Sequence, residues 1–173
     1  MATVYYTASS LDGFIAGPGH DLGWLLRQDV DPDGPHGYTP FIAGVGALVM
    51  GANTYQWVLH HGDSPWPYTQ PCWVLTHRRF PQPDADVRFA DDSLGEVHRA
   101  ALAAAGGRDV WLVGGGDLVG QFHDQGLLDE VHVQFAPVTL GSGAPLLPRR
   151  IDLELLDVVR NRDFACTRYR VRH

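Results

Sequence analysis

The chain has 173 residues and a mass of 19.0 kDa, enough for one domain; a domain of that size buries roughly 70% of its unfolded surface and needs no disulfide or metal staple. A formal charge of −7, with the 13 basic residues all Arg, argues against non-specific nucleic-acid binding, which depends on clustered basic groups. The start MATVYYTASS has no basic or long apolar segment, no uncharged apolar run approaches the ~20 residues of a membrane span, and Cys72 and Cys166 stand apart without a CxxC, so the expectation is a cytosolic protein with reduced thiols and no membrane contact.

Thr3 to Ser9, rich in β-branched and aromatic residues, predicts a central first strand. It runs into Ser10 to Gly17 (SLDGFIAG) and a Pro18-Gly19 turn. Asp12 precedes a glycine at a strand end, where it is either a turn residue or a carboxylate at the mouth of a cleft, because ligands of open α/β sheets sit beyond the carboxyl ends of strands. Asp21 to Leu26 is a short helical or loop segment whose Trp24 caps either the core or a ligand ring. Asp29 to Pro40 is an acidic surface loop lacking the EF-hand spacing of a calcium site, and from Tyr38 or Thr39 a helical stretch runs through Phe41, Ile42 and Val45.

Ala47 to Met50 predicts a buried strand, followed by the Gly51 to Thr54 turn, in which Asn53 or Thr54 caps a helix carrying Tyr55, Trp57, Val58 and Leu59. His60 to Pro67 is a loop whose paired histidines lack metal-ligand spacing. Cys72 to Thr76 is a third strand. It delivers His77, Arg78 and Arg79 at its carboxyl end, solvated or clamping a phosphate through the planar guanidinium fork. After a short strand at Val87 to Phe89, Ser93 to Glu96 is a capping box that opens a helix ending at Gly106-Gly107.

Asp109 to Phe122 (DVWLVGGGDLVGQF) organises the rest. An apolar run meets Gly114, Gly115 and Gly116, then Leu118, Val119 and Phe122 at helical spacing: a buried strand, a turn free of side chains and a helix. Such a turn brings backbone N–H groups and the positive end of a helix close to a bound group, which suits a phosphate, though a tight strand-to-helix turn with no ligand reads the same way. Glu130 to Ala136 alternates as a strand with Val131, Val133 and Phe135 inward. Thr139 to Leu147 is a glycine-rich loop able to fold over a site, and Asp152 to Asn161 with Phe164 to Val171 predicts an antiparallel hairpin. The even spacing of Arg160, Arg162, Arg168, Arg170 and Arg172 places them on a solvated strand face. Several strands ending in glycine or hydroxyl turns imply a nucleotide, but no GxGxxG of a Rossmann unit is present.

SLDGFIAG, VMGANTY (Val49 to Tyr55), VLTHRR (Val74 to Arg79), VWLVGGGDLVGQF, LLDEVHV (Leu127 to Val133) and LGSGAPLL (Leu140 to Leu147), in this order and nearly end to end, resemble the dihydrofolate reductase-like family, in its branch that includes the reductase domain of the bifunctional riboflavin-biosynthesis deaminase-reductase. The resemblance implies a single α/β domain over residues 1–173: three layers, a mixed, mostly parallel central sheet and a C-terminal antiparallel hairpin. It also implies NADPH. Gly51, Asn53 and Thr54 would take part of the phosphates, Thr76, His77, Arg78 and Arg79 the 2′-phosphate, and Gly114, Gly115, Gly116, Asp117 and Leu118 the pyrophosphate, with Ala16 also at the cofactor and a cis Gly114-Gly115 peptide.

Ala52 stands where family members often carry Arg, so the preference for NADPH over NADH rests on Arg78 or Arg79. On the substrate side Asp12 is the candidate proton donor or substrate-orienting group, with Trp24 and Val119 beside the substrate. No carboxylate on the helix after the first loop and no Leu-Pro-Trp speak against folate reduction, and no HxE with PCxxC marks a deaminase. The implied protein is a homodimeric NADPH-dependent reductase of a small heterocyclic or sugar-linked substrate. The alternative is a protein that binds a nucleotide or aromatic ligand on the same fold without turnover.

Overall fold

The structure, a computed structural model, describes residues 1–61 and 66–173. Eight strands form one sheet: β1 (Thr3–Ser10), β3 (Val45–Gly51), β4 (Cys72–Leu75), β5 (Val87–Ala90), β6 (Asp109–Gly114), β7 (Glu130–Ala136), β9 (Leu153–Asn161) and β10 (Phe164–Val171), in the order β5-β4-β3-β6-β1-β7-β10-β9. The six strands from β5 to β7 run parallel, and β10 and β9 add the antiparallel hairpin at one edge. β2 (Phe14–Ala16) and β8 (Ala144–Pro145) form a separate antiparallel pair.

Period-two alternation gives each parallel strand two apolar faces, and each face is covered. Tyr5, Val49, Val110 and Leu112 meet Val97, Ala101 and Ala105 of α4 (Leu94–Ala105) and Val119 and Phe122 of α5 (Gly116–Asp124). On the opposite face Tyr6, Leu48, Met50 and Trp111 pack with Tyr55 of α3 (Ala52–His61) and Phe41 and Ile42 of α2 (Tyr38–Ala43). α1 (Gly23–Leu26) is a single turn over a smaller cluster of Ala136, Phe164 and Cys166. This is the three-layer α/β, dihydrofolate reductase-like architecture expected from the motifs.

The capping box is present: Ser93 Oγ donates to Glu96 Oε2 (2.7 Å) and accepts from Glu96 N (3.4 Å), and the helix stops at Gly106 in the left-handed region. Val45, expected in a helix, instead opens β3. α2 ends at Ala43, and a Cβ on Gly46 would lie 2.2 Å from Ala105 O, so this strand start is threaded tightly against the end of α4. Half of the expected His60–Pro67 loop, Gly62 to Pro65, lies outside the described residues, and α3 itself runs through His61. Among the described residues no helix is long and apolar enough to cross a membrane.

Candidate nucleotide cleft at the carboxyl ends of the strands

β3 and β6 are neighbours, with Met50 opposite Gly114. Their two glycine turns therefore lie side by side: a Cβ on Gly51 would be 3.8 Å from Gly114 O, and one on Gly114 would be 3.8 Å from Thr54 Oγ1. Each turn opens directly into a helix, α3 at Ala52 and α5 at Gly116. The first-turn N–H groups of both helices have no partner within the helix, and both positive dipole ends face the same space. Gly115, the N-cap of α5, has no side chain to satisfy those donors, and a Cβ built on it would meet nothing within 4 Å. The Gly114-Gly115 peptide is cis, as the resemblance implied.

These turns form one end of a cavity of about 590 Å³, lined also by Tyr6, Thr7 and Ala8 of β1, Leu22 and Leu25 around α1, Trp57 of α3, Tyr68, and Trp111 of β6. The β2–β8 strap borders it, contributing Ile15, Ala16, Ala144 and Pro145. Close approach of backbone to backbone holds the strap. A Cβ on Gly116 would stand 2.3 Å from Leu146 O and 2.5 Å from Pro145 O, and Gly143, at φ +145°, has Ala16 O where its Cβ would be. Tyr5 Oη donates to Leu146 O (3.1 Å) and Leu146 N to Gly13 O (2.9 Å).

Of the residues expected at the cofactor, Ala16, Gly51, Asn53, Thr54, Arg78 and all of Gly114 to Leu118 line the cavity. Thr76, His77 and Arg79 do not. Thr76 Oγ1 instead accepts from Arg78 N (2.9 Å), a hydroxyl turn that aims the one guanidinium inward, where Arg78 Nη2 donates to Asn53 Oδ1 (2.5 Å). The Asp117 carboxylate accepts from Gln121 (2.9 Å) and from Arg149 (3.1 Å), which bind its proton-free form and hold its carboxyl below the usual value.

The three residues expected beside the second ligand lie outside this cavity lining. Asp12 lies outside the cavity lining. Its carboxylate accepts from Ser10 Oγ (2.7 Å), Leu140 N (3.0 Å) and Gly141 N (2.7 Å), tying the turn after β1 to the loop before β8. The Ser10 hydroxyl first, and then the Leu140 N–H, lower its carboxyl to about 2. At neutral pH it carries no proton to donate. Trp24 is 5% exposed and packs on Ala136, Phe164 and Cys166, while Leu22 and Leu25, which border the same cluster, line the cavity. Val119 is fully buried against the sheet with Phe122, because positions 119 and 122 share the core face of α5.

Sequence reasoning missed the lining residues Tyr6, Tyr68 and Trp111. The alternation of β6 held the signal for Trp111: Val110 and Leu112 face one side, so Trp111 and Val113 face the side on which the cavity lies. Trp111 Nε1 donates to Tyr6 O (3.0 Å), and the Tyr68 and Tyr6 rings meet its ring edge-on with centroids 5.7 and 6.2 Å away. Burial raises both tyrosine phenols, so they remain protonated and neutral around physiological pH.

The comparisons agree with this architecture. The Bacillus subtilis (strain 168) protein YwjB, described as uncharacterized, is 33% identical over 145 residues, covering 83% of this chain and 81% of its own. The crystal structure of a putative riboflavin biosynthesis protein from Shewanella sp. PV-4 superimposes with a TM-score of 0.84 at 29% identity, covering 100% of both chains. A diaminohydroxyphosphoribosylaminopyrimidine deaminase/5-amino-6-(5-phosphoribosylamino)uracil reductase from Thermotoga maritima shares the fold, with a TM-score of 0.63 at 16% identity over 98% of this chain and 56% of that one. The profile of the RibD C-terminal domain matches residues 3–169, and the chain belongs to the RibD C-terminal domain family.

Proposed function

We propose that the cavity binds NADPH and that the protein is an NADPH-dependent reductase of a small heterocyclic or sugar-linked molecule. The observation that carries the reading is the convergence of two helix N-termini and Arg78 on one cavity at the carboxyl ends of parallel strands. The residues fit such a cofactor: backbone donors at Gly51 to Thr54 and Gly114 to Leu118 suit phosphate oxygens, the empty space at the Gly115 Cβ position admits them closely, and Arg78 suits a 2′-phosphate. When bound, NADPH supplies a hydride from its nicotinamide ring. The chain's own residues hold the phosphates, cover the cavity with the β2–β8 strap and present apolar walls that exclude water. Tyr68, a phenol kept protonated by burial, is the candidate to hydrogen-bond the atom that gains negative charge. Family membership supports a reductase-type role, and the protein from Thermotoga maritima acts on a phosphoribosylamino uracil by its description. The same proposal takes the protein as a homodimer, which sedimentation equilibrium checks.

Thermal unfolding with NADPH, NADH and no nucleotide tests the cofactor. At ~100 times its dissociation constant a ligand adds about 2.7 kcal/mol, which at roughly 2–4 °C per kcal/mol raises the Tm by about 5–11 °C. A larger rise with NADPH than with NADH is expected, and no rise with either at millimolar nucleotide rejects the reading. NADPH oxidation with pyrimidine, pterin and flavin acceptors separates a reductase from a binding protein, which would show the Tm shift without turnover.

A further inference from the structure

Packing in the core does not account for Trp57 or for the histidines that follow it. Tyr55 and Val58 are the buried residues of α3, whereas Trp57 is half-buried and lines the cavity with Asn53 and Arg78. Positions 53, 57 and 61 recur at intervals of four, so they form one row along the helix. At the start of the row Asn53 Oδ1 accepts from Arg78 Nη2 (2.5 Å), and Gln56 Oε1 accepts from Arg78 Nη1 (3.5 Å). The guanidinium therefore lies over the helical turn that leads to Trp57. At the end of the row the His61 ring stacks on the indole, with centroids 4.7 Å apart and planes 7° from parallel, and its Nδ1–H donates to Trp57 O (3.1 Å). Among the described residues His61 is the one ring in contact with Trp57, and it does not line the cavity. The cavity meets a side of the indole that His61 leaves open. A flat, uncharged ring thus stands one helical turn, about 6 Å, from the guanidinium. In a 2′-phosphorylated nucleoside the base is carried on the ribose carbon next to the one that bears the phosphate, which matches that separation.

We propose that Trp57, backed by His61, is the platform on which the nucleotide's purine ring stacks, so that Trp57 and Arg78 together select a 2′-phosphorylated adenosine. The proposal rests on the cofactor reading and adds to it a residue that decides affinity through the base. Adenosine 2′,5′-bisphosphate is the probe, because the purine is its one aromatic ring and it carries no nicotinamide. Its binding is measured by calorimetry, and by quenching of indole fluorescence, which a stacked base produces by direct contact. Trp57→Leu should weaken binding by about 5–150-fold, the worth of one base stacked on an aromatic side chain. Trp57→Phe keeps a ring for the purine, so it should bind within about threefold of the parent while the quenching disappears with the indole. The Tm of each variant without ligand reports folding, and the Trp57→Phe reading stands even where Trp57→Leu fails to fold. Unchanged affinity in Trp57→Leu, binding to the parent without quenching, or quenching that persists in Trp57→Phe overturns the platform and leaves the cofactor reading intact. No binding of either the bisphosphate or NADP⁺ to the parent at millimolar ligand overturns both.

Discussion

Replacing Gly116 by Ala adds one methyl group where two backbone carbonyls already stand. The new Cβ would lie 2.3 Å from Leu146 O and 2.5 Å from Pro145 O, about 1 Å inside ordinary contact, and neither atom is the far end of a flexible side chain. Either the β2–β8 strap or the first turn of α5 must move by that distance. Overpacking of this kind costs about 1–3 kcal/mol, and a strap that lifts also strains the bonds from Tyr5 Oη and to Gly13 O that hold Leu146. A Tm drop of about 2–12 °C follows for a chain of this size. Movement of the α5 N–H groups by ~1 Å takes them out of good hydrogen-bond geometry, so NADPH affinity should fall by about tenfold or more. Gly120→Ala on the same helix is the control. Its Cβ would meet Arg149 Cγ at 2.8 Å, a side-chain and not a strap-backbone collision, which shifts Arg149 against its bonds to Asp117 and Asp124 while alanine regains about 1 kcal/mol of helix propensity. Differential scanning fluorimetry with and without NADPH reads both variants. A Gly116→Ala protein with unchanged Tm and an unchanged NADPH shift would refute the idea that this backbone contact shapes the phosphate cradle.

Arg78→Gln should weaken NADPH binding by about 10–150-fold, the worth of one charge-assisted contact, and barely affect NADH; equal losses by calorimetry would remove Arg78 from the 2′-phosphate. Trp24→Phe deletes a buried indole N–H that no described residue accepts, and the ring packs on Phe164 and Cys166, so Tm should change by only a few degrees. A more than threefold loss of NADPH affinity in that variant would return Trp24 to the cavity wall. Asp12 has a folded-state carboxyl near 2, below its ordinary 3.8. Its contribution to stability is therefore complete above about pH 4 and is lost as pH falls from there through 2. Asp12→Asn should lower Tm at pH 7 and flatten the Tm profile between about pH 4 and 2. An unchanged acid limb would mean that the loop tie contributes nothing.

The two strand, glycine and helix units were legible because each writes its own signal: a short β-branched or apolar run, residues without side chains, then a 3.6-residue period. The hairpin β9–β10 and the Ser93 box were legible for the same local reason. The β2–β8 strap was not, since strands of three and two residues inside glycine-rich loops have no period to read. The choice among neighbours was also hidden. Whether Arg78 or Arg79 lines the cavity depends on the Thr76 hydroxyl turn, and whether Trp24 or Leu25 does depends on how a one-turn helix seats on Phe164 and Cys166. Asp12 was visible as a carboxylate near a strand end, but its partners Leu140 and Gly141 lie 128 and 129 residues away in sequence. No local pattern reveals such a pairing.

The parts of the cavity lining are built in different ways. At the phosphate end the donors are backbone N–H groups, whose positions follow from the pairing of β3 with β6 and from the glycines that let the two turns touch. Side-chain substitution there acts mainly by collision, as at Gly116, and reaches the donors only by displacing the backbone that carries them. Elsewhere the surface consists of side chains on β1, α1 and β6 with His20 and Tyr68, Leu25 lying in and Leu22 just before a single helical turn that packs on a smaller cluster than the main core. Substitution at Leu22 or Leu25 should therefore alter this part of the cavity lining without moving β3, β6 or the helices that follow them. On the proposed reading cofactor binding and substrate choice are separable, so a measured change in one without the other reads out which end a residue belongs to.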